Sequence, residues 1–100
     1  MLIARVSGTI VATQKSENLN GMRLLLLEKL DVKTMKGKND FLVALDAVGA
    51  NVGEVVFYVT GSSARLTDTS KGKPTDSTIT GIIDNIEREG QLIYRKSEDI

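Results

Sequence analysis

Whatever chemistry this chain performs must be done without histidine and without cysteine, because its 100 residues contain neither. Their absence removes the commonest general base, the thiolate nucleophile and the soft metal ligands together. The adjacent hydroxyls Ser62 and Ser63 would need a lysine or a carboxylate as base. A hydroxyl-rich turn between Gly61 and Arg65 explains them without any activated nucleophile. Asp46, Asp76 and Asp84 are candidate paired carboxylates by type, yet their spacing says nothing about proximity, and solvation of turns and strand ends accounts for all three. Gly49 and Gly53 are spaced like part of a phosphate-binding loop, but Glu54 stands where that motif requires lysine and would set negative charge against a phosphate. A metal would have to be held by oxygen ligands alone, and the D-x-[DN]-x-[DN]-G calcium loop is absent. The residue types thus favour no catalytic group, no metal and no cofactor.

The elements that must position these residues read as short strands. From residue 2 to 12 the even positions Leu2, Ala4, Val6, Gly8, Ile10 and Ala12 are small or apolar, which is period two. Gly8 in mid-pattern suits a strongly bent barrel strand. Asn20-Gly21 marks a tight turn. Residues 22–30 consist largely of good helix formers, but the segment is short, follows a turn signal and holds the run Leu24, Leu25, Leu26, Leu27, which reads as a strand covered on both faces. One face belongs to the chain's own core. The other needs a cover that so short a chain can hardly supply, so the four leucines are candidate subunit-interface residues. A slip of one residue exchanges the two faces, which leaves open the pair that faces outward.

Residues 31–40 read as a solvated connection, 41–46 and 55–60 as strands joined by a glycine-bearing loop, and 61–74 as a polar stretch. Residues 78–84 form a strand interrupted by Gly81, 86–90 a turn, and 91–95 a short terminal strand. The pattern predicts an all-β chain: a small five- to six-stranded OB-like antiparallel barrel with at most short helical turns. It is expected to be one domain over residues 1–100, with 87–100 a C-terminal strand and tail.

With 41% hydrophobic and 26% charged residues, the composition is that of a globular protein. Thirteen basic side chains balance thirteen acidic ones, so no net charge draws the chain toward nucleic acid or an anionic membrane, and no self-repulsion opposes association. An OB-like barrel raises a nucleic-acid-binding module as an alternative function. Single-strand binders need a basic groove with stacking aromatics. Here Phe41, Phe57, Tyr58 and Tyr94 are the only aromatics, and at least two should be core. The first residues lack the basic region and long apolar stretch of a secretory signal. The longest apolar runs, 41–45 and 55–59, fall far short of the roughly 20 residues of a membrane-crossing helix. A cytoplasmic chain with neither nucleic-acid nor membrane partners is expected.

Five ordered blocks are more specific. Gly8-Thr9-Ile10-Val11-Ala12-Thr13-Gln14-Lys15, Leu19-Asn20-Gly21-Met22-Arg23-Leu24-Leu25-Leu26, Val43-Ala44-Leu45-Asp46-Ala47-Val48-Gly49-Ala50, Gly61-Ser62-Ser63-Ala64-Arg65, and Pro74-Thr75-Asp76 with Gly81-Ile82-Ile83-Asp84 together resemble the EutN/CcmL family. That family comprises the pentameric vertex proteins of bacterial microcompartments, including carboxysomes. The resemblance spans about residues 2–86. It implies a structural protein, not an enzyme, whose homo-pentamers sit at the five-fold corners of a polyhedral shell otherwise tiled by hexameric shell proteins. By the same resemblance Gly61, Ser62, Ser63, Ala64 and Arg65 approach the five-fold axis and border a narrow opening. Asn51 stands where a further glycine is common in the family, and Phe57-Tyr58 replace a more usual aliphatic pair. Heterologous contacts close into a ring only at the right rotation. The sequence does not fix that rotation, so a hexamer remains open.

Overall fold

A computed structural model describes residues 2–11, 23–61 and 77–98. Five strands, β1 (Leu2–Thr9), β2 (Arg23–Leu30), β3 (Gly37–Asp46), β4 (Val55–Thr60) and β5 (Ser77–Ile82), close into a barrel in the order β1-β2-β3-β5-β4, with β4 pairing back onto β1. β6 (Asn85–Arg88) and β7 (Gln91–Arg95) form a separate hairpin followed by a 3-10 turn, Lys96–Glu98. The all-β, OB-like expectation holds, with one correction. Every barrel seam is antiparallel except that between β3 and β5, where Leu45 lies beside Thr78 and Asp46 beside Ile79 in parallel. Five strands in a ring cannot alternate direction all the way round, so one seam must run parallel. Closure leaves the barrel without a free edge.

β1 turns Ala4 and Val6 inward, and its register against β2 slips between Val6 and Gly8. A Cβ at Gly8 would meet nothing within 4 Å, so this glycine serves the bend and not close packing. β3 begins at Gly37, earlier than its apolar residues suggest. Leu30 pairs with Gly37, and the Asn39 amide donates to Glu28 Oε2 at 3.0 Å, so β2 holds the polar start of β3 in the sheet. The turn expected over 86–90 is instead a strand and a tight turn: Ile86 pairs with Tyr94, and the chain reverses at Glu89 and Gly90. The pattern there is too short to announce itself, because only Ile86 is apolar between residues 84 and 91.

Among the described residues, two clusters hold the fold together. Inside the barrel, Val6, Leu25, Leu27, Val56, Tyr58 and Ile79 pack with small Ala4, Ala44 and Ala50, and all are buried. Each large side chain buried there contributes about 1.5–3 kcal/mol. Outside the barrel wall, Leu30, Val55, Ile83 and Tyr94 form a second cluster, against which Ile3, Met35 and Ile86 pack. The hairpin is attached through this second cluster. Two strands alone are marginal in water, and the barrel wall supplies the apolar face they lack.

Candidate functional site

The Asp46-Ala47-Val48-Gly49-Ala50 block is a self-contained device. The Asp46 side chain is only 1% exposed, and its Oδ1 accepts the amides of Val48, Gly49 and Ala50 at 3.1, 3.0 and 3.2 Å. Its Oδ2 lies 3.2 Å from Arg23 Nη1, while Arg23 Nη2 donates to the Ala50 carbonyl at 3.3 Å. Gly49 takes φ +78°, a left-handed conformation that favours glycine, and the turn it makes delivers Ala50 into the barrel core. The carboxylate thus occupies the loop amides that an anion would use, so Gly49 and Gly53 do not cradle a phosphate. Asp46 is buried, not solvated as expected of a strand-end acid.

Farther along, the loop joins the sheet. The Val6 amide donates to the Glu54 carbonyl at 2.9 Å, the Gly53 amide to the Val6 carbonyl at 2.8 Å, and Arg5 Nη1 to the Gly53 carbonyl at 2.8 Å. Glu54 Oε1 accepts the Asn51 amide at 2.6 Å, and Oε2 meets Lys96 Nζ at 2.5 Å. The Lys96 hydrogen bond, then that of Asn51, holds the Glu54 carboxyl below its ordinary range. The Glu54 bond also raises Lys96. This pair ties the end of the hairpin to the β3–β4 loop. Asp84 lies beside this pair: the Lys96 amide donates to its backbone carbonyl at 2.8 Å, and it lines an open cleft with Asn85, Lys96 and Ser97. Asp76 lies outside the described residues. Among the described residues no group of three carboxylates, histidines or cysteines could hold a metal. No helix among them is long and apolar enough to cross a membrane. Tyr58 is 2% exposed, and burial first of all raises its hydroxyl pKa, with Lys29 opposing and Asp40 reinforcing the rise. It stays protonated at neutral pH.

The leucine run divides as a two-faced strand must. Leu25 and Leu27 are fully buried in the barrel, whereas Leu24 and Leu26 turn outward and are half-buried. Across the seam Leu26 pairs with Val43 and Glu28 with Phe41, and these outward side chains of β3 are 49% and 45% exposed. Together they make an apolar outer wall on β2 and β3. Phe41 and Val43 were legible by the same signal as the leucines: an uninterrupted apolar strand has two apolar faces. Gly61 closes β4 at φ +62°, and a Cβ there would meet nothing within 4 Å. Ser62, Ser63, Ala64 and Arg65 lie outside the described residues. The two exposed aromatics, Phe41 on β3 and Phe57 on β4, sit on strands that are not neighbours in the barrel, which does not form the continuous stacking track a single-strand binder requires.

Residues 1–84 match the family described as "Ethanolamine utilisation protein EutN/carboxysome". The chain is 38% identical over 99 residues to the carboxysome shell vertex protein CcmL of Synechocystis sp., covering 99% of this chain and 98% of that one. The structure of Gloeobacter violaceus CcmL superposes with a TM-score of 0.91 at 36% identity, covering 98% of this chain and all of the other. The GrpN pentameric microcompartment shell protein of Rhodospirillum rubrum follows at a TM-score of 0.79 and 36% identity, covering 88% and 99%. Likeness of sequence and barrel over nearly the whole length leaves one assignment: the chain belongs to the EutN/CcmL family.

Proposed function

We propose that this chain is a structural shell protein whose cyclic pentamers cap the five-fold vertices of a bacterial microcompartment in the cytoplasm. The observation that carries this reading is the near full-length likeness to a carboxysome shell vertex protein, joined by a fold-level likeness to a pentameric microcompartment shell protein. The geometry supports it. An apolar outer wall of Leu24, Leu26, Phe41 and Val43 suits a contact between copies, and a barrel whose loop amides are occupied by Asp46 offers no reaction centre there. Residues 1–100 act as one vertex domain, with hexameric shell proteins as neighbours. Gly61, Ser62, Ser63, Ala64 and Arg65 border the axial opening. A flat hexagonal sheet does not close, and pentagons supply the missing curvature.

Deleting the protein from its shell system should leave sheets of shell protein with elongated or open bodies under the electron microscope. Adding the chain back should restore closed polyhedra. Enzymes of the compartment should keep their turnover in dilute extract. Closed polyhedra in a strain without this or any second vertex protein would contradict the reading.

A further inference from the structure

At the end of the barrel where β1 and β3 begin and β2 ends, the described residues border a cavity of about 400 Å³. Leu2, Lys29 and Asp40 stand there two residues beyond the inward-facing Ala4, Leu27 and Leu42, so they lie on the inner face where the wall stops. It is the barrel's mouth. Tyr58 reaches into it from β4, opposite Leu2, with only 2% of its surface exposed. Lys29 and Asp40 both act on the charge of its hydroxyl, which sets that group beside the rim. Among the described residues the hydroxyl makes no hydrogen bond, and it is not sealed from the cavity. A phenylalanine would fill the same place in the core, whereas a buried tyrosine hydroxyl ordinarily has a partner. This donor has none. Lys29 Nζ lies 3.2 Å from Asp40 Oδ2, while Lys38 lines the same cavity without an ion pair among the described residues. Two lysines against one aspartate leave a single positive charge at the mouth. Leu2 and Val32, 50% and 54% exposed, add an apolar wall that water covers poorly. Barrel mouths that combine apolar walls with a few convergent polar groups are common ligand sites.

We propose that this mouth binds a small aliphatic monocarboxylate, its chain against Leu2 and Val32, one carboxylate oxygen accepting from the Tyr58 hydroxyl and its charge facing Lys38. Inorganic phosphate would answer the lysine but set its remaining oxygens against apolar side chains. An alcohol of the same length would leave the lysine unanswered. The site lies at the barrel's end, not on the β2–β3 outer wall, and does not rest on the pentameric reading. Calorimetric titration of the wild type, as it assembles, with octanoate should show one saturable site per chain with a dissociation constant at or below about 1 mM. Octanol and inorganic phosphate should each bind at least about tenfold more weakly. Tyr58→Phe keeps the ring in the core and Lys38→Gln changes only an exposed side chain, so both should stay folded by circular dichroism. Each should weaken octanoate about tenfold, whereas Lys36→Gln, an exposed lysine that does not line the cavity, should leave the affinity unchanged. The chain has no tryptophan and two tyrosines, so in Tyr94→Phe the emission of Tyr58 alone reports the contact, and it should change along the same binding curve. No saturable octanoate binding, equal binding of octanol or phosphate, or unchanged affinity in both Tyr58→Phe and Lys38→Gln overturns the proposal. So does an equal loss in Lys36→Gln, which would reduce the effect to general charge.

Discussion

Where Val55 and Ile83 turn outward from the barrel, the β6–β7 hairpin lies over them with Ile86 and Tyr94. Where Phe41 and Val43 turn outward, they stay nearly half exposed. Both walls are apolar for the same reason, since strands with consecutive apolar residues cannot direct all of them to one side. They differ in what closes them. The hairpin is long enough to cover one wall and is held there by Tyr94 and by the Glu54–Lys96 pair. On the pentameric reading proposed above, a second copy covers the other wall, which would assign subunit stability and assembly to different residues even within four consecutive leucines.

The strongest way to break this division is through the leucines that face the core. Leu25→Ser with Leu27→Ser removes two fully buried side chains and sets hydroxyls in their place. At about 2–5 kcal/mol for each truncation, the loss is on the order of a domain's whole stability, and circular dichroism should show an unfolded chain. Next comes the covered wall. Tyr94→Ala should cost about 3 kcal/mol, read as a lower denaturant midpoint, while rings still form at high protein concentration. If Tyr94→Ala abolished assembly of a folded subunit, the hairpin would be part of the contact and the division would be wrong.

Gly61 sharpens the contrast between strain and crowding. At φ +62° an alanine should cost about 1 kcal/mol within the subunit, and asparagine less, since it tolerates this region. Neither should hinder the ring, whereas Gly61→Trp should, if five copies of this turn converge. Equal ring stability in Gly61→Trp and Gly61→Asn would remove the turn from the axis. The smallest effect belongs to the latch. Glu54 is held below its ordinary value of 4.5, so its contribution is complete above that pH and is lost as pH falls through the folded-state value. Lys96 is raised above 10.5, so its share is complete below that pH and is lost as pH rises through its own folded-state value. Thermal melts of Glu54→Gln should therefore lie slightly below wild type at neutral pH and converge with it at both extremes. A constant offset across the whole range would show that the pair does not act through charge.

Much of this was legible in the sequence, and the reasons are local. The strands at 55–60 and 91–95 fall where their apolar and β-branched residues place them. The leucine run announces two faces because an apolar strand has no polar side to offer water. The pair that faces inward was not legible, because it is set by pairing: Leu25 and Leu27 lie opposite Ala44 and Leu42, whose side chains point into the barrel. The polar start of β3 depends on Leu30 and Glu28 across the seam. Asp46 looked like a solvated strand end because nothing in one dimension shows that three following amides curl back onto its carboxylate.

The division of labour is tested most directly by native mass spectrometry of the wild type beside Leu24→Ser/Leu26→Ser, with folding checked by circular dichroism. Expected are a wild type of five times the chain mass and a variant that is folded but dissociated at the same concentration. A wild type that is monomeric, or a variant that keeps five copies with unchanged resistance to dilution, would contradict the claim that this uncovered wall is what closes the ring.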